Sequence, residues 1–170
     1  MKSLIKKECE SVLNELLKFS DDILSLGKPI SDERLEHFER DINYEFPFDF
    51  KYFLKKFNGF SLCGVEVFGL GNEFKESSLD RIYDFEHSQI ENKMPSQFLP
   101  FSNDGRGNHY CLDLSRLNEE KICPIVFWQW DFKYKSITDV ETCNESFGDW
   151  VEEVMIEWAK EDYNYDGTEK

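Results

Sequence analysis

The side chains best suited to polar chemistry gather in one short stretch, Asp104-Gly105-Arg106-Gly107-Asn108-His109, with Cys111 and Asp113 following at alternate positions. A metal site here would recruit Asp104, His109 and Asp113. The stretch lacks the close Cys/His spacing of a zinc site and the Asp-x-Asp-x-Asp-Gly run of a calcium loop. A hairpin turn accounts for the same residues: its glycines permit positive φ, and Asp or Asn bonds its own backbone. Such a turn can also present Arg106 to a ligand from a rigid frame. Neither Gly69-Leu70-Gly71 nor Gly105-Arg106-Gly107 extends to G-x-G-x-x-G, and no G-K-[ST] is present, so nothing points to nucleotide binding. His37, His87 and His109 are scattered, and no Ser-His-Asp or Cys-His set can be proposed from them. No catalytic residue, metal or cofactor is assigned, and the chain is not read as an enzyme.

A second constellation is a row of acids near the C-terminus. Glu145, Asp149, Glu153, Glu157 and Glu161 recur at every fourth residue, with only Lys160 nearby to relieve them. Like charges at that spacing cost about 0.2–0.5 kcal/mol per pair in an isolated helix, so the row does not serve helix stability. It is either a solvated face or a surface for a basic partner, extended by Asp162, Asp166 and Tyr163 or Tyr165 in the tail. Drift along an α-helix lets only part of it meet one partner. The candidate partner-binding residues are therefore Asp149, Glu153, Glu157 and Glu161, with Asp104 and Arg106 on the hairpin. Trp128 and Trp130 read as core residues. A single exposed Trp there would be an interface anchor.

Composition narrows the choice of partner. The chain has 170 residues and a net charge of −15, from 35 acids against 20 bases. Such a surface repels phosphate, which disfavours direct contact with nucleic acid or anionic lipid and favours a basic protein. Residues 141–170 hold 10 acids and 2 bases, more than half of the excess. No segment approaches the roughly 20 apolar residues of a membrane span, and MKSLIKKECESV has no signal-peptide core, so a soluble cytoplasmic protein is expected. The five cysteines are odd in number and lack a C-x-x-C pair, which fits reduced thiols. With 16 Phe and 4 Trp, aromatic side chains must supply an unusual share of one core in one domain.

The elements that must position these residues follow from periodicity. Residues 3–19 read as an amphipathic helix, Asp21 to Pro29 as a loop, and Ser31 as the N-cap of a helix buried through Leu35, Phe38 and Ile42. In FPFDFKYFLKKFNG, Pro47 starts a third helix, Phe50, Phe53, Leu54 and Phe57 share a face, and Gly59 closes it. SLCGVEVFGLG reads as a hairpin. Residues 71–97 read as a long, partly exposed connection with a helical turn around Leu79 to Phe85. FLPFSNDGRGNHYCLDL gives two strands about a turn at Asn103-Asp104-Gly105. Ile122 to Trp130 is apolar almost throughout, as a central strand covered on both sides would be. Residues 132–140 add another strand, and Ser146 with Asp149 opens a last helix buried through Phe147, Trp150, Val151, Val154, Met155 and Trp158. The fold class is α+β: a single domain, residues 1–170, with a mainly antiparallel sheet and helices packed on it.

The Phe46 to Gly59 helix resembles the "LP-x-x-[YF]-K-x-[FL]-[LI]-x-x-x-N-G" signature of the SUKH superfamily. FSNDGRGNHYCLDL, PIVFWQWD and ESFGDWVEEV then follow in the expected order, and the likeness spans residues 31–158. Phe46 stands where Leu is usual, and Asn43-Tyr44 where Leu-Gly is common. The superfamily includes fungal cell-wall-assembly regulators and many bacterial immunity proteins. The resemblance implies a binding scaffold without a portable catalytic set: an immunity protein that occludes a cognate toxin domain, often a nuclease. Its alternative is a regulatory scaffold like the fungal members.

Overall fold

A computed structural model describes residues 2–170. Helix α1 (Lys2–Leu16) buries Ile5, Cys9, Leu13 and Leu16, one stripe at helical spacing. Leu4 and Leu17 also fall near that stripe in helical spacing but face solvent. In α2 (Asp32–Ile42) the Ser31 hydroxyl accepts from the Arg34 amide, and Asn43 closes the helix at φ 59°, ψ 40°. Asn tolerates this left-handed conformation, so α2 ends cleanly without the glycine common in this region.

Helix α3 (Phe48–Lys56) carries Phe50, Phe53 and Leu54 into the core behind Pro47. The Asn-Gly that follows it is a latch as well as a turn. Asn58 accepts from the Leu70 amide at 2.8 Å and donates to the Leu70 carbonyl at 2.9 Å. Gly59 sits at φ +80°, where a Cβ would come within 3.0 Å of the Gly69 nitrogen. This close approach seats the first, three-stranded sheet, ordered β1 (Leu24–Leu26), β2 (Phe60–Leu62), β3 (Val65–Val67), all antiparallel. The β2–β3 hairpin turns at Cys63 and Gly64, both at positive φ, as a tight two-residue loop requires. Strand β1 corrects the expectation of a loop across Asp21 to Pro29. Three residues are too few for alternation to register in sequence, and pairing with β2 makes them a strand.

The connection between the sheets contains a 3-10 stretch (Asn72–Ser77), helix α4 (Leu79–Asp84) and a π-helical turn (Phe85–Gln89). The second sheet runs β4 (Phe98–Asn103), β5 (His109–Asp113), β6 (Ile125–Trp128), β7 (Glu141–Asn144), again antiparallel throughout. Its central strand is shorter than the apolar run Ile122 to Trp130 implied, because Pro124 lacks an N–H for the ladder and pairing ends at Trp128. Residues 132–140 do not form the expected strand. Ser136 and Asp139 make a capping box around a 3-10 turn, and the strand starts afterwards, at Glu141.

Alternation divides this sheet into two faces. Leu99, Phe101, Leu112 and Ile125 join the main core under the helices. Phe98, Cys111, Val126 and Trp128 form a smaller cluster with Met94 and Val140 on the opposite side, so β6 is covered on both faces as its composition implied. The chain is thus α+β with two antiparallel sheets.

The C-terminal helix runs continuously from α5 (Phe147–Trp150) through a π-helical stretch (Val151–Glu157) into α6 (Trp158–Asp162). The Trp158 amide bonds to the Glu153 carbonyl five residues back, which advances the buried stripe by one position. Ile156 and Ala159 therefore enter the core, while Trp158, expected inside, remains 47% exposed. Beyond it the tail folds onto the end of α1: Ser20 donates to the Tyr165 carbonyl at 2.7 Å, and Tyr165 packs on Phe19 with centroids 4.9 Å apart.

Candidate functional site

Two of the concave surfaces on this architecture gather acidic or aromatic side chains. The first lies where α1, the start of α5 and the Glu120 loop meet, a depression of about 380 Å³. At its base Asp49 is buried and accepts from the Phe50 amide at 2.9 Å and the Gly148 amide at 3.1 Å, so one carboxylate joins the starts of α3 and α5. Burial pushes its pKa up to about 6, against the opposing pull of those amide donors. Glu8, Glu120, Asp149 and Glu152 surround it, and no basic side chain lines it among the described residues. The depression can attract cations or a basic protein surface.

The sequence-predicted residues are distributed over three places. Asp149 opens onto the acidic depression. Glu153, Glu157 and Glu161 are exposed farther along the C-terminal helix, where Glu153 accepts from Asn144 at 2.6 Å and Glu157 pairs with Lys160 at 3.1 Å. Asp104 and Arg106 lie in the β4–β5 loop. Asp104 accepts from the Arg106 and Asn108 amides and from the Asn108 side chain, the self-bonded turn expected of this sequence. Partial burial works against its ionisation, but these hydrogen bonds outweigh it and hold its pKa below the usual value. The Arg106 side chain is free to face solvent while its carbonyl accepts from the Trp130 indole at 3.1 Å. Asp113 is occupied by Ser115 and by Arg116, at 2.6 Å and 2.8 Å.

The second concave surface is a cleft of about 1010 Å³ beside the smaller cluster, between the π-helical turn and the loop after β6. Trp130 and Phe85 line it and stay 49% and 48% exposed. Asn92 ties its two sides together, donating to the carbonyls of Trp130 at 2.6 Å and Phe132 at 3.2 Å. Sequence reasoning missed Glu86, which lies in a polar run without periodicity. It also missed Glu8 and Glu120, which are remote from the acidic row. Trp130 was expected in the core with Trp128, but pairing of β6 ends at Trp128 and Trp130, beyond it, stays outside.

Among the described residues, no group of three potential metal ligands converges. The family profile described as SMI1-KNR4 cell-wall (SUKH_5) matches residues 9–157, and the chain belongs to that family. Its fold is similar to that in a crystal structure of a protein from Pseudomonas syringae pv. tomato, with TM-score 0.61 and 19% identity over 87% of this chain and 98% of that one. Among the described residues, no helix is long and apolar enough to cross a membrane.

Proposed function

We propose that the protein is a non-covalent binder of a basic protein, most specifically an immunity protein that occludes the substrate groove of a cognate toxin domain such as a nuclease. The acidic depression carries this reading: Glu8, Glu120, Asp149 and Glu152 converge on one surface, beside a helix whose exposed row adds Glu153, Glu157 and Glu161. A nuclease groove must be basic to hold phosphate, so an acidic surface can compete for it and steer encounter. The activity is occlusion, without turnover, membrane or nucleic acid, in the cytoplasm. The cell-wall description of the family favours a second reading, a regulatory scaffold engaging several cellular proteins.

Capture on the tagged protein, at low and high salt, separates the two. Under the immunity reading one basic toxin domain dominates, is released as salt rises, and loses its activity when the purified proteins are mixed. Several unrelated partners, with no inhibited activity, would establish the regulatory scaffold instead. Two triple variants then locate the surface: Glu8, Glu120 and Glu152 to Lys, and Glu153, Glu157 and Glu161 to Lys. The set at the interface slows association by about 10-fold or more at low salt. If both leave association unchanged, the acidic surface has no part in binding.

A further inference from the structure

The cleft on the far side of the four-stranded sheet contains what the acidic depression lacks, buried polar groups without partners. Glu86 is only 7% exposed, yet its Oε2 has no hydrogen-bond partner. His109 is 6% exposed with an unpartnered Nδ1, and Trp128 is 4% exposed with an unpartnered indole N–H. Glu86 and Trp128 both line the cleft. His109 Nδ1 approaches Glu86 Oε1 to 3.9 Å, too long for a hydrogen bond. Burial lowers the His109 pKa to about 4, so at neutral pH the ring is uncharged and does not neutralise the carboxylate. An orphaned buried carboxyl is costly, and a protein retains one where something else completes it.

The surroundings specify what completes it. Glu86 and Phe85 belong to the π-helical turn, a geometry that recurs at functional sites. Trp130 faces the same cleft as a fixed platform: its indole is held by the Arg106 carbonyl, and Gly107 packs so closely that a Cβ would lie 2.8 Å from the ring. A carboxylate in a cleft shared with the half-exposed rings of Phe85 and Trp130 suits a flat cation that can donate to the acid and stack on the indole. Guanidinium does both; an ammonium does not stack. The rim adds a selection. Lys93, Lys133 and Lys135 stand there among Glu91 and Asp131, although the chain as a whole carries −15. These lysines repel a polybasic segment and accept one cation flanked by acids.

We propose that this cleft receives an arginine side chain of a partner protein, presented between acidic neighbours, with Glu86 as its counter-ion and Trp130 as its stacking surface. The inference shares with the proposed function only the premise that the ligand is a protein. It places recognition on the opposite side of the sheet from the helices, and the experiment keeps the two apart.

The probes are the blocked pentapeptide Gly-Asp-Arg-Asp-Gly and the same peptide with uncharged citrulline in place of arginine. Both are titrated into the ¹⁵N-labelled full chain while the indole N–H resonances are followed. The arginine peptide shifts the Trp128 and Trp130 signals saturably, with Kd of about 1 mM, and the citrulline peptide binds at least about tenfold more weakly. Glu86→Gln abolishes that difference, and reversing Glu153, Glu157 and Glu161 to Lys leaves it intact. Equal binding of the two peptides overturns the proposal. So does the absence of a shift at about 10 mM peptide, or a response confined to the C-terminal helix. The citrulline comparison is made on the unaltered chain, so the test does not depend on the variant folding.

Discussion

The two faces of the four-stranded sheet are packed by different means. On one, regular helices deliver an interlocked aromatic core: Phe147 meets Phe50, Phe53 and Phe101 at centroid distances of 5.0, 5.5 and 5.2 Å, and Trp150 crosses Phe101 at 4.7 Å. On the other, a π turn and an irregular loop cover a cluster built on Met94, Phe98, Cys111, Val126, Trp128 and Val140. Half-open aromatics and the orphaned atoms of Glu86, His109 and Trp128 belong to this side. The first face is the more continuously packed, although the Trp150 indole N–H is buried there without a partner. The second leaves those buried atoms uncompensated, which costs stability.

The largest test of this contrast is Phe147→Ala, which removes the ring shared by four aromatic neighbours. It should cost about 3–5 kcal/mol in chemical denaturation. A loss below about 1 kcal/mol would show that the helix-covered face is not the stabilising one.

Asp49 sharpens the comparison through pH. Its folded pKa of about 6 exceeds the ordinary 3.8, so the folded state binds its proton more tightly than the unfolded chain. Its contribution is therefore most favourable below pH 3.8 and is lost as pH rises through 6. Relative to Asp49→Asn, the parent protein should lose about 3 kcal/mol in all from well below pH 3.8 to well above 6, at no more than about 1.4 kcal/mol per pH unit. Parallel stability curves for the two proteins would remove Asp49 from the account.

A change of the same sign is expected on the loop-covered face. Burial raises the Glu86 pKa, so its charge destabilises the fold increasingly as pH climbs through that raised value. Glu86→Gln should match the parent in acid and exceed it by about 0.5–2 kcal/mol at neutral pH. A clear loss instead would mean that the carboxylate is structural. The smallest effect belongs to Trp130→Ala, which should alter stability by no more than about 0.5 kcal/mol while abolishing the shifts caused by the arginine peptide. A large loss of stability would make Trp130 a packing residue.

Legibility followed the same division. The α3 helix was readable because Pro47, the apolar spacing and Asn58-Gly59 are local signals, and the two-sided burial of β6 was readable from its uninterrupted apolar run. Strand β1 was not, since three residues gain their identity from a partner distant in sequence. The strand expected over 132–140 gives way to a turn, because Ser136 and Asp139 close a capping box there. Of the candidate sites, the acidic row and Asp104 turn could be read, but the convergence of Glu8, Glu120 and Asp149 requires tertiary packing. Glu86 gave no signal, because an orphaned carboxylate is defined by what fails to surround it.

The widened C-terminal helix also makes chain length adjustable inside an element that normally resists it. Removing one solvent-facing residue, Glu152 or Glu153, would let the π stretch relax to ordinary α geometry without breaking the helix. Everything beyond would keep its orientation, because the extra residue that widens the helix is the one removed. Ala159 would stay in the core and Trp158 outside it, whereas the same deletion elsewhere in the helix would turn every later side chain by about 100°.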